Sequence, residues 1–183
     1  GATNDEAFMT IRLKSNEETK ESYPFDFEVI YTYRLQEGKL SIEQEYKNES
    51  DVEMPLHPGF HPYFKTAEKN LSYHTDAKTF LDYNDGQVKP VESGLSLEGK
   101  KESLALLDAA AKRIDFPLPE VSKSVTLEYG EEFRYVVLWT EAGKEFVCVE
   151  PWFAQTDEFN RKDELTYIQP KETLKTVLTI SAK

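Results

Sequence analysis

The sequence predicts an all-β protein built as a sandwich, with one short helix. Three observations carry that prediction. Runs of β-branched and aromatic residues recur along the chain, turn-forming clusters separate them, and only one stretch reads as helical. Strands with turns and a single helix point to packed antiparallel sheets rather than a doubly wound α/β arrangement.

Taken in order, Phe8-Met9-Thr10-Ile11-Arg12-Leu13 alternates in part, and the stretch from Phe27 to Leu35 is rich in β-branched and aromatic residues. Glu37-Gly38 supplies a turn. Leu40 to Tyr46 then alternates apolar and polar residues, and Lys47 to Asp51 ends it with turn formers. The two long runs therefore read as a hairpin with one solvated face. The middle is less regular: Tyr83-Asn84-Asp85-Gly86 is a turn, and Gly94 and Gly99 mark breaks. Ser103 to Arg113 is the expected helix, with Ser103 as N-cap and Leu, Ala, Lys and Arg as good formers. Strands resume at Ser124–Tyr129. Tyr135–Trp139 is apolar throughout, as a strand covered on both faces should be, and Phe146–Glu150 and Thr173–Ile180 complete the set.

A length of 183 residues fits one domain spanning residues 1–183. Apolar residues make up 39% and aromatics 13%, with 10 Tyr and 11 Phe, enough to fill a core and too apolar for disorder. The net charge of −12 disfavours general binding to nucleic acid or to an anionic membrane surface. Cys148 is the single cysteine, so no intrachain disulfide and no multi-cysteine zinc site can form, and no metal is expected. No apolar run reaches the roughly 18–20 residues of a membrane helix, and no signal-peptide pattern is present. The expectation is a cytoplasmic protein. A start at Gly1-Ala2-Thr3 without Met reads as a processed or altered end, and the expectation is a piece of something longer.

Two segments hold the candidate chemistry. Leu56-His57-Pro58-Gly59-Phe60-His61-Pro62-Tyr63-Phe64 packs two prolines, a glycine, two histidines and three aromatics into one stretch, which reads as a rigid loop presenting His61 near Tyr63. Imidazole titrates near neutral pH and suits proton donation. The plainer reading is an aromatic corner whose histidines bond backbone groups. In the strand Phe146–Glu150, period-2 alternation places Phe146, Cys148 and Glu150 on one face and Val147 and Val149 on the other. A carboxylate ending an apolar strand beside Trp152 is costly to bury unless partnered. It is a structural ion pair, a general base in a pocket, or a sugar-binding acceptor next to a stacking ring.

Met54 to Phe64 and Val147-Cys148-Val149-Glu150-Pro151-Trp152 resemble the two segments of aldose 1-epimerase-like (galactose mutarotase-like) proteins that carry their histidine and catalytic glutamate, in the family's order. Lys14 to Thr19 and Tyr23 to Phe27 also resemble a divergent branch of that family. The resemblance implies a curved antiparallel β-sandwich and a cofactor-free interconversion of the α and β anomers of an aldose. On it, His61 is the general acid and Glu150 the general base. Asp115, ahead of Phe116, matches a family aspartate that grips a sugar hydroxyl, with Asp108 as a weaker substitute, and Tyr63 and Trp152 border the sugar. His57 reads as structural, and His74 has nothing chemical beside it. The family carries a substantial segment ahead of the point where this chain starts, which brings an Arg and a His to the sugar site. The chain therefore resembles the C-terminal two-thirds or so of such a protein.

The partner expected is a small, neutral sugar. Two rival readings stay open: a non-catalytic carbohydrate-binding or sensing module, and a sugar-phosphate mutarotase using Arg113 or Arg134. The presence of both His61 and Glu150 favours catalysis.

Overall fold

The computed structural model describes residues 1–3 and 5–183. In chain order its elements are β1 (Glu6–Lys14), α1 (Glu17–Ser22), β2 (Phe27–Gln36), β3 (Lys39–Asn48), β4 (Met54–Leu56), β5 (Tyr63–Lys65), β6 (Thr79–Asp82) and β7 (Gln87–Pro90). There follow β8 (Leu104–Leu106), β9 (Arg113–Leu118), β10 (Lys123–Tyr129), β11 (Tyr135–Trp139), β12 (Phe146–Trp152), α2 (Glu158–Arg161), β13 (Thr166–Ile168) and β14 (Thr173–Ala182).

The strands form two six-stranded sheets, β1-β2-β3-β14-β10-β9 and β5-β12-β11-β8-β6-β7, plus the small pair β13-β4. The pairings between neighbours are antiparallel, as in the long hairpin that runs from Phe27 opposite Asn48 to Gln36 opposite Lys39. Ile114, Phe116, Leu127 and Leu178 of the first sheet face Leu138, Val147 and Val149 of the second, and all are fully buried. Phe64 of β5 meets Phe116 of β9 edge-on, with ring centroids 5.0 Å apart, so the two sheets are tied directly. Among the described residues no helix is long and apolar enough to cross a membrane.

The expected helix at Ser103–Arg113 does not form. Leu104, Ala105 and Leu106 instead make β8, between β11 and β6, with each residue 0–1% exposed. The rest of the stretch is an irregular loop. Asp108 accepts from the backbone N–H groups of Lys78 and Thr79, and Asp76 accepts from those of Ala110 and Ala111. Burial on both faces of a central strand outweighs a helical preference worth only tenths of a kcal/mol per residue. The two α-helices among the described residues lie elsewhere and are short. Asn16 opens α1 with a capping box: its side chain accepts from Thr19 N, and Thr19 Oγ1 accepts from Asn16 N.

In the second sheet, Asp82 at the end of β6 is 1% exposed. It accepts from the ammonium groups of Lys89 and Lys100 and from Asn84, so a buried charge is paired on all sides. Burial alone would raise its pKa, but the bonds from Lys100, Lys89 and Asn84 outweigh that effect and hold it well below the usual carboxylate range.

Candidate active site

β12 carries the site because its two faces differ. Val147 and Val149 enter the core, whereas Cys148 and Glu150 point away from it, toward the outer face of the second sheet. The proline-rich loop is fastened over the end of this strand. Phe60 N donates to the Pro151 carbonyl at 3.0 Å, and Phe153 N donates to the Pro58 carbonyl at 3.1 Å. Gly59 lies against Trp152, where a Cβ would sit 2.8 Å from Cδ1 of the indole, so the loop approaches this closely only with glycine. The chain then enters β5, where Tyr63 pairs with Cys148 and Phe64 with Val147. His61 is thereby set beside Glu150.

The imidazole Nε2 of His61 lies 3.3 Å from Oε1 of Glu150. Tyr63 stacks on the His61 ring at 4.9 Å with an interplanar angle of 17°, and Trp139 meets the ring edge-on at 5.7 Å. Trp152 Nε1 donates to the other carboxylate oxygen, Oε2, at 3.1 Å. Oε1 is buried and accepts no hydrogen bond, because the approach of His61 is close but not aligned for one. Glu150 is 1% exposed, and burial pushes its pKa up to about 8, against the opposing effect of the Trp152 bond. Burial likewise pushes the Cys148 thiol up to about 12, and the neighbouring Glu150 charge adds to the effect.

A cleft of about 290 Å³ opens beside His61 and Trp152, lined by His57, Gly59, Phe60, His61 and Trp152. His57 forms one wall, and its Nε2 donates to the Ala154 carbonyl at 2.7 Å, which holds the ring in place. A titratable carboxyl poised near neutral pH, an imidazole in contact with it and aromatic walls together suit proton exchange with a polar ring-shaped substrate.

The structure brings His61, Glu150, Tyr63 and Trp152 together, and it separates Asp115 from them. Ile114 and Phe116 of β9 point into the core from the first sheet, so Asp115 projects from that sheet's outer face. The thickness of the sandwich lies between it and Glu150. There Asp115 is held by Arg113 and Thr126, with the Arg113 bonds chiefly responsible for a lowered pKa. The Asp115 assignment is therefore corrected: a two-residue match to Asp-Phe carries no information about which face of the sheet the carboxylate takes. Asp108, the weaker substitute, is occupied by the backbone of Lys78 and Thr79. The arginines do not supply a cationic pocket either. Arg113 is paired with Asp115 and Glu128, and Arg134 donates to the carbonyls of Phe153 and Glu164.

The sequence reading missed Trp139 as a wall of the His61 site and His57 as a wall of the cleft. The signal for Trp139 was available in principle: it ends β11 opposite Cys148, on the face that period-2 alternation assigns to Glu150.

The sequence pattern of the family described as aldose 1-epimerase matches residues 2–181. The chain belongs to the aldose 1-epimerase family. Among solved structures it is similar to the Slr1438 protein from Synechocystis sp. PCC 6803, with a TM-score of 0.92 and 31% identity, covering 100% of this chain and 63% of that one. It is also similar in fold to the galactose mutarotase related enzyme from Lactobacillus acidophilus, with a TM-score of 0.81, 19% identity and coverage of 100% and 69%. Galactose 1-epimerase from Lactobacillus acidophilus NCFM gives a TM-score of 0.73, 13% identity and coverage of 100% and 64%. The chain thus spans about two-thirds of the length of these proteins. No curated protein matches it in sequence.

Proposed function

We propose that this chain carries the acid–base pair of an aldose mutarotase, with Glu150 as general base and His61 as general acid. The observation that carries the proposal is the 3.3 Å approach of His61 Nε2 to Glu150 Oε1, an oxygen that is buried yet accepts no hydrogen bond. Mutarotation exchanges protons at two oxygens bonded to the same carbon, the anomeric hydroxyl and the ring oxygen. An acid and a base that touch suit such a substrate, and the free Oε1 is ready to accept the hydroxyl proton. Glu150 takes that proton while His61 gives one to the ring oxygen. The C1–O5 bond breaks, C1 becomes the aldehyde carbon, rotation about C1–C2 turns its other face to the hydroxyl, and the reverse transfers close the ring. Both residues end as they began, and no co-reactant is consumed.

The aromatic walls support a sugar as the substrate, because Trp152 and Tyr63 offer apolar faces to ring C–H groups beside polar acceptors. The net charge of −12 and the engagement of Arg113 and Arg134 elsewhere favour a neutral aldose over a sugar phosphate. The reading is tested by adding galactose and glucose to the protein with Trp139 replaced by Phe and following Trp152 emission. Saturable quenching by an aldose is the expected result. Emission that ignores every aldose tested contradicts a sugar site at Trp152.

A further inference from the structure

Cys148 is the group on this face that acid–base chemistry leaves without a role. Its Sγ, an imidazole nitrogen of His61 and a carboxylate oxygen of Glu150 all lie within 4.8 Å of one another. Cys148 is fully buried two residues before Glu150 on the same face of β12, and it pairs across the ladder with Tyr63. Glu150 Oε1 is buried, unpartnered and turned toward this group, while Trp152 anchors Oε2. His61 is the outermost of the three, with 48% of its side chain exposed, and it alone of the three lines the cleft.

We propose that His61, Cys148 and Glu150 form a binding site for a thiophilic divalent cation of the zinc type. The donor set is one nitrogen, one sulfur and one carboxylate oxygen, which suits zinc. Hard cations such as magnesium and calcium seek oxygen alone. Three protein ligands leave a fourth, open position, filled by water from the cleft. Zinc bonds of about 2.0–2.3 Å require the donors to close together by about 1 Å. His61 can supply that movement because it is half-exposed. Trp152, by holding Oε2, orients the carboxylate as an outer-shell partner does. Binding displaces the thiol proton to solvent as the Cys148–metal bond forms. A site built from a single cysteine with His and Glu departs from the expectation of no metal, although a single cysteine rules out only multi-cysteine sites.

The bound cation occupies both members of the proton-exchanging pair, so occupation shuts the site. That consequence rests on the proposed mutarotase reading, whereas the binding does not. The test uses cobalt(II) as a spectroscopic substitute for zinc, added to protein freed of metal with a chelator. One equivalent is expected to give the absorption of tetrahedral cobalt with a thiolate-to-cobalt charge-transfer band. Cys148→Ser is expected to lose that band, and Cys148→Ser and His61→Gln each to weaken cobalt binding at least tenfold. His74→Gln, at a residue bridged to Asp115 and outside the cluster, should bind as the parent does. Circular dichroism on each variant checks that it is folded. A parent protein without the charge-transfer band overturns the proposal, as does a folded His61→Gln variant that binds cobalt as tightly as the parent. A parallel assay follows aldose anomerisation during zinc titration. Binding confirmed by cobalt but without an effect of zinc on anomerisation overturns the shut-off alone.

Discussion

Trp152 donates its indole N–H to Oε2 of Glu150 at 3.1 Å and so decides which carboxylate oxygen is left without a partner. Oε1 remains, buried and facing His61 at 3.3 Å. A residue that the sequence offers as a stacking ring in one of three open readings is thus also the group that orients the proposed base.

Replacing Trp152 by Phe keeps an aromatic wall and removes the donor. Because the Trp152 bond lowers the Glu150 pKa against the rise from burial, its loss should move that pKa further up. The variant is expected to lose about 1–2 kcal/mol of stability and to show its rate onset shifted to higher pH. Chemical denaturation and a pH–rate profile check the two parts, and an unshifted profile would contradict the role given to the indole.

Glu150→Gln should be more stable than the parent in alkaline buffer. Burial raises the native pKa to about 8 from an ordinary value of 4.5, so between those values the folded protein holds a proton that the unfolded chain has released. The parent's stability therefore declines as pH rises through this window, while that of the variant carries no such term. The gap is expected to open between pH 4.5 and 8 and to level off at no more than about 5 kcal/mol. Urea midpoints with a chelator present measure it, and a gap constant with pH would refute the burial argument.

Gly59→Ala tests the fastening of the loop. A Cβ 2.8 Å from Trp152 Cδ1 forces either the loop or the indole to move, at a cost of about 1–3 kcal/mol. A lower melting temperature should come with altered Trp emission and a reduced rate. A variant with parent-like stability and emission shows that the loop accommodates the methyl group freely.

Asp82→Asn leaves the Lys89 and Lys100 ammonium groups without their common carboxylate. Both lysines are part-exposed, so the expected loss at neutral pH is about 2–3 kcal/mol, below the full cost of stranding buried charges. Because the folded-state pKa of Asp82 is depressed, the parent's advantage is present above the ordinary carboxylate value of 3.8 and shrinks as pH falls below it. Denaturation at neutral and acid pH compares the two proteins, and an advantage that survives undiminished in acid contradicts the assignment.

Much of the fold was legible because its signals are local. The alternation of Leu40–Tyr46 and the turn at Glu37-Gly38 give the β2–β3 hairpin, and the continuous apolar run of Tyr135–Trp139 gives a central strand. Ser103–Arg113 misled because the burial of Leu104–Leu106 between β11 and β6 depends on partners remote in sequence, while helical preference is a local property. The same distinction governs the site. Period-2 alternation placed Cys148 and Glu150 on one face, but the 3.3 Å approach of His61 depends on a loop fastened across the end of β12. Asp115 failed for the complementary reason, since its place on the outer face of the opposite sheet is fixed by pairing with β10 and by packing of Ile114 and Phe116.

The central claim is that Glu150 and His61 exchange protons with the anomeric centre of an aldose. Polarimetry of freshly dissolved α-galactose and α-glucose, with the parent protein, Glu150→Gln and His61→Gln, tests it directly. The account predicts an approach to rotational equilibrium that quickens with parent protein concentration and an acceleration reduced by about 10²–10⁴-fold in each variant. No acceleration by the parent, or an acceleration that survives intact in Glu150→Gln, would contradict it.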